Sequence, residues 1–155
     1  MNPNKFAIPH KAEIPPGAWG VWQIPSLNVS VPLYRGNNPV TAQADVDREN
    51  SANYRRFGCG HIISDHAGSR SNGGKGVWDL WQLHPDDAAF LILPDGTQTF
   101  VCQMVCRVDV HPSSYTMDGQ SVYPRRATDV LCVGCATKDG KQNYLAIFKQ
   151  TGVIP

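Results

Sequence analysis

Two short stretches carry residue types that can do covalent chemistry together. DVLCVGC (residues 129 to 135) ends on Cys135, and GHIISDHAG (residues 60 to 68) carries His66 just past an apolar run. A thiol is nucleophilic as its thiolate, and an imidazole titrates near neutrality, so it can exchange the proton that this chemistry requires. A cysteine and a histidine brought together from distant strand ends are the minimum equipment for thiol catalysis. Gly134 allows close approach of a substrate, and backbone N–H groups around 135 to 137 are candidates to hold an oxyanion.

Each residue also has a plainer reading. Cys135 fits equally as a small apolar residue near a hairpin tip, and a lone histidine is more often structural or solvated. Cys132, three residues earlier, falls on the opposite side of a strand by the two-residue period; it is expected in the core and is the fallback nucleophile. His61 opens the HIIS run and should point away from the position of His66. Asp65 adjoins His66, but in extended chain the two face opposite ways, so Asp65 is a poor orienting acid. A metal reading rests on CxxC at 132 and 135, CxxxC at 102 and 106, and CxH at 59 and 61. Structural zinc wants four such ligands in a turn-rich knuckle, whereas these lie in apolar, strand-like segments, so no metal and no cofactor is expected. A thioredoxin-like pair would need a helix after the CxxC, where KDG and a strand follow. The glycine-rich loop at 68 to 76 lacks the GxxxxGK[ST] spacing of a phosphate loop.

Strands must hold these groups. DVLCVGC and NYLAIF (143 to 148) read as two strands joined through ATKDGKQ, and AAFLIL, PDGT and TFVCQMVCRVDV read as a hairpin with Pro and Gly at favoured turn positions. Alternation over 27 to 34 puts Leu27, Val29, Val31 and Leu33 on one face, and prolines at 25 and 32 suggest an exposed edge or a bulge. DRENSANYRRF is expected as a short helix capped by Asp47, Asn50 or Ser51. WDLWQLHPDD fits one helical turn or an extended cover for the core. HPSSYTMDGQSVYPRRAT (111 to 128) is expected as a long loop forming, with the 68 to 76 loop, the walls of a cleft.

At 155 residues the chain suits one domain, taken as 19–155 behind a proline-rich arm over 1–18. A charged fraction of 17% with 14 Gly and 12 Pro favours a mostly β fold. A formal net charge of +1 with scattered basic residues argues against nucleic acid as a partner. No apolar run of about 18 residues and no signal-like start is present, so neither a membrane span nor a signal peptide is expected; the cytoplasm is the default compartment, and an extracellular place is the alternative for a trimmed or divergent chain. Five cysteines, an odd number without a disulfide framework, leave at least one free thiol. A monomer is expected.

Taken together, these stretches resemble the sortases, cysteine transpeptidases of Gram-positive bacteria built on an eight-stranded β-barrel. IPSLNVSVPLYRGN resembles the family's early strand, GCGHIISDHAG its histidine motif, LILPDGTQTFVCQMVCRVDV its central hairpin, and LCVGC with NYLAIFK its cysteine strand and returning partner. The likeness runs from about 24 to 149. It implies a sortase-like barrel with short helices and long loops, Cys135 as nucleophile, His66 as acid and base, and a peptide or protein substrate resolved by an amine or by water. The chain departs from the pattern at Asp65, where the family has Gly, and at Gly134, where it has Thr. It departs again at Asn143 or Gln142, where the family's substrate-binding arginine stands. Asn143 is the candidate to donate a neutral hydrogen bond in its place, and Lys138, Lys141 or Arg126 are other sources of positive charge. The alternatives are a catalytically silent barrel that only binds and a structural zinc domain.

Overall fold

The computed structural model describes residues 2–36, 51–57, 59–64, 79–111, 114–117, 120–122, 124, 126–135 and 142–155. Ten strands run through them: β1 (Gly20–Ile24), β2 (Val29–Arg35), β3 (Ala52–Phe57), β4 (Gly60–Ser64), β5 (Ala88–Leu93), β6 (Gly96–His111), β7 (Ser114–Met117), β8 (Gln120–Val122), β9 (Val130–Cys135) and β10 (Gln142–Ile154). Hydrogen bonding follows the order β10, β9, β4, β3, β2, β1, β5, β6, and a further β10–β6 pairing closes these eight strands into a barrel. β7 and β8 continue the sheet beyond β6. Helical structure among the described residues is limited to single 3-10 turns at Pro3–Phe6, Pro25–Leu27 and Leu80–Gln82.

Apolar alternation along each strand fills the barrel. Trp22, Ile24, Val31, Leu33, Ile63, Leu91, Phe100, Cys132, Ala146 and Phe148 meet inside, with the Trp22 indole edge-on to Phe100 at 5.4 Å and to Phe148 at 5.3 Å. Edge-to-face packing adds to the burial of these large rings. Pro32 sits within β2 without breaking the barrel, because β3 joins β2 only at Leu33, Tyr34 and Arg35 and the proline needs no donor on that side. Pro25 opens a 3-10 turn that ends on Asn28 in the left-handed region (φ 55°), a conformation asparagine tolerates.

Two local expectations are overturned. Residues 52 to 57, read as helix, form β3, because β2 and β4 supply ladder partners on both sides and tertiary pairing outweighs a local cap signal; residues 37 to 50 lie outside the described part. The segment 111 to 128, read as loop, carries β7 and β8, an antiparallel pair that docks on β6 through Asp109↔Thr116. WDLWQLHPDD is the 3-10 turn Leu80–Gln82, whose Leu80 is buried in the core together with Leu83.

The arm is laid on the sheet and tied at two points. The Asp87 carboxylate, fully buried, accepts hydrogen bonds from Asn2 Nδ2 (2.7 Å), Asn4 Nδ2 (3.3 Å), Ser26 Oγ (3.0 Å) and the His84 N–H (3.0 Å). Burial pushes this acid up, but the donors from Asn2, His84, Ser26 and Asn4 outweigh it and hold the pKa below the usual carboxylate value. Farther along, the buried Gln23 carboxamide accepts from the His10 N–H (2.9 Å) and donates to the His10 carbonyl (3.0 Å), as a paired strand would.

Candidate active site

The face of β9 that carries the candidate thiol is set by alternation. Val130 and Cys132 belong to the barrel interior, while Leu131 and Val133 belong to a second cluster on the outer side with Ile62, Val108 and Leu145. Cys135 has the same parity in the sequence as Leu131 and Val133, and Cys132 has the other. Cys132 is fully buried, and burial raises its thiol well above the usual value. That disposes of the fallback nucleophile, because a thiolate there has no solvation.

Register assembles the outer face row by row. Cys135 on β9 lies opposite Asn143 on β10, and Asn143 lies opposite Val108 on β6. In the next row Ser64 of β4, Val133, Leu145 and Cys106 succeed one another, with Asn53 of β3 beside Ser64. Below that run Ile62, Leu131, Ile147 and Met104. The result is a mainly apolar floor, packed by Val122 from β8, with Asn143, Ser64 and Asn53 as buried polar groups along it.

β6 reaches this floor through a β-bulge. Met104 pairs with Ile147 but Cys102 pairs with Phe148, leaving Gln103 as the extra residue. Phe100 and Cys102 therefore point into the barrel, whereas Cys106 and Val108 turn to the outer cluster. The bulge also answers the zinc alternative. Cys102 and Cys106 lie on opposite sides of the sheet, Cys132 and Cys135 differ in parity, and burial pushes the Cys102 thiol up to about 12. No group of three or more metal-binding side chains occurs among the described residues.

Arg126 cannot replace the family's arginine. Its guanidinium is held by Asp129 at 2.8 Å, at the start of β9, and residues 129 to 135 span about 20 Å of extended chain. Arg107 is nearer, but in register it faces Tyr144, on the other side of β10 from Asn143. Its Nε donates to Gln142 Oε1 (2.7 Å), and Gln142 Nε2 donates to Asp109 Oδ1 (3.0 Å). Gln142 is thus engaged on the far side, which leaves Asn143 as the residue opposite Cys135. His66, Asp65, Lys138, Lys141 and the glycine-rich loop lie outside the described residues. His61 is turned from the floor. Its ring lies tilted against Trp19 at 5.3 Å, and burial followed by the nearby Arg56 charge lowers its pKa.

Ser64 and the Gln103 bulge escaped the sequence reading. Ser64 was visible as the polar end of GHIIS, two residues from Ile62 and so on its face. A bulge leaves no clear mark where both frames are apolar, as in FVCQMVCRV.

No protein-family model matches the chain, and no curated protein matches it. Solved structures do. Sortase E1 from Streptomyces coelicolor, solved with a tripeptide in its active site, superposes with a TM-score of 0.64 at 16% identity, covering 93% of this chain and 94% of that one. Sortase C-3 from Streptococcus pneumoniae gives 0.63 at 16% identity over 97% and 74%. Sortase A from Listeria monocytogenes gives 0.62 at 11% over 89% and 90%. No helix among the described residues is long and apolar enough to cross a membrane. With eight strands closed by β10 on β6 and these superpositions, the chain has a sortase-like β-barrel fold.

Proposed function

We propose that the protein is a cysteine transpeptidase or peptidase that cleaves an extended peptide through a thioester, with Cys135 as nucleophile, His66 as acid and base, and Asn143 as a neutral oxyanion donor. The parallel register of β4 and β9 carries this reading. His61, Ile62, Ile63 and Ser64 run beside Val130, Leu131, Cys132 and Val133. Ser64 stands two positions before His66 in the sequence, as Val133 stands two positions before Cys135.

In this mechanism the Cys135 thiolate adds to the peptide carbonyl carbon, and the charge that develops on oxygen is met by Asn143 and a backbone N–H. Collapse breaks the C–N bond as the His66 imidazolium gives its proton to the leaving amine. The thioester is then taken by an amine, forming a new amide, or by water, forming a carboxylate, with His66 accepting the incoming proton.

The test is labelling by a peptide vinyl sulfone in a Cys59→Ser background, since Cys59 is an exposed thiol. Wild-type Cys135 should be modified, and Cys135→Ala and His66→Ala should not, with their thermal transitions unchanged. Cys102 and Cys132 should stay unmodified in the native state because both are buried. Equal labelling of the Cys135→Ala protein would remove the assignment. The neutral Asn143 in the arginine's place favours a second reading, a barrel that binds peptide without cleaving it; peptide binding with no Cys135 modification would select it.

A further inference from the structure

The outer floor contains one group that its neighbours do not explain. Ser64 is 4% exposed, and its Oγ has no hydrogen-bond partner among the described residues. Around it stand Ile62 on its own strand, Val133 and Leu145 in its row, and Asn53 opposite it on β3, which does not hydrogen-bond to it. A buried hydroxyl without a partner destabilises the fold, and an alanine would fill the same space without that penalty. Such a group is expected where a ligand supplies the missing partner.

We propose that Ser64 is a specificity-determining residue, whose hydroxyl pairs with a hydroxyl- or amide-bearing side chain of the peptide. The inference rests on Cys135 being the nucleophile. Ser64 lies one strand across from β9 and one row, two residues, along from Cys135. Strand spacing of about 4.8 Å and a rise of about 3.3 Å per residue separate the two positions by roughly 8 Å. An extended peptide covers that distance in two to three residues, so the polar side chain belongs two or three positions from the reacting carbonyl. An all-aliphatic peptide would leave the hydroxyl unpaired in the complex and bind less well.

The experiment uses the Cys59→Ser protein and tetrapeptide vinyl sulfones in which one position at a time carries Thr or its near-isostere Val. At the second or third position from the electrophile, the Thr probe should modify Cys135 about 5–10-fold faster than the Val probe, the range one such hydrogen bond supports. Ser64→Ala should bring that ratio to about 1, chiefly by slowing the Thr probe. Its thermal midpoint should rise by about 2–4 °C as the unpaired hydroxyl is removed. If Cys135 is modified but the Thr/Val ratio survives in Ser64→Ala, the assignment of Ser64 fails while the nucleophile stands. A fall in the midpoint would show an intramolecular partner for the hydroxyl and overturn the assignment as well. No modification of Cys135 by any probe would overturn both.

Discussion

Replacing Asn143 by aspartate changes a neutral donor into a charge at the position opposite Cys135. Directly opposed residues of an antiparallel pair hold their Cβ atoms roughly 4.5–5.5 Å apart. At about 5 Å and an effective dielectric near 20, two like charges repel by about 3 kcal/mol, equivalent to a thiol pKa about two units higher. Near neutral pH, modification of Cys135 by a peptide vinyl sulfone should therefore slow by about 100-fold in Asn143→Asp and recover as pH rises. Asn143→Ala removes the donor without adding charge. It should leave the pH profile of labelling unchanged while peptide turnover falls about 10²–10³-fold, as when other neutral oxyanion donors are removed. The assay is the labelling rate against pH for the three proteins, with thermal unfolding as a control because Asn143 is 8% exposed. If Asn143→Asp labels like the wild type at every pH, positions 135 and 143 do not share a site, and the proposed oxyanion group is wrong.

Gly60→Ala tests the close approach between the β3–β4 turn and the chain entering β9. An added Cβ would stand 2.3 Å from the Asp129 carbonyl oxygen and 2.9 Å from that of Arg126, so urea unfolding should show a loss of about 1–3 kcal/mol or more. Asp87 should make the fold acid-sensitive. Because its native pKa is depressed, its contribution is complete above the unfolded-state value of 3.8 and is lost as pH falls through the lower native value. Asp87→Asn should flatten that part of the stability–pH curve, and at neutral pH it should lose about 1–3 kcal/mol because an amide nitrogen would then face donors; an unchanged acid slope would assign the dependence to another group.

Much of the fold was legible because strand grammar is local. The β5–β6 hairpin announces itself by Pro94, Asp95 and Gly96 between apolar runs, and alternation at Val29, Val31 and Leu33 marks the inner face of β2. Other features depended on pairing that no local stretch encodes. Residues 52 to 57 carry helix-compatible types, and only the ladders from β2 and β4 make them strand. The anchoring of Asn2 and Asn4 to Asp87 joins residues more than eighty positions apart. The face of Cys106 depends on the Gln103 bulge. At the site, residue chemistry pointed to Cys135 and the sortase resemblance to Asn143, while their being directly opposed is a matter of register.

The closure of β10 on β6 has a kinetic consequence. The pairs that seal the barrel run from Gln142↔Asp109 to Ile154↔Thr97, all of them distant in sequence. Loop closure must precede such contacts, so the final sealing of the barrel should be slow beside the formation of the β5–β6 hairpin. During synthesis, β9 emerges before its β10 partner, and the Cys135 strand has its full set of neighbours only after Phe148 has left the ribosome. The juxtaposition of Asn143 and Cys135 therefore arises only once β10 has been made. In the proposed mechanism, a nascent chain would lack its oxyanion group until β10 has docked.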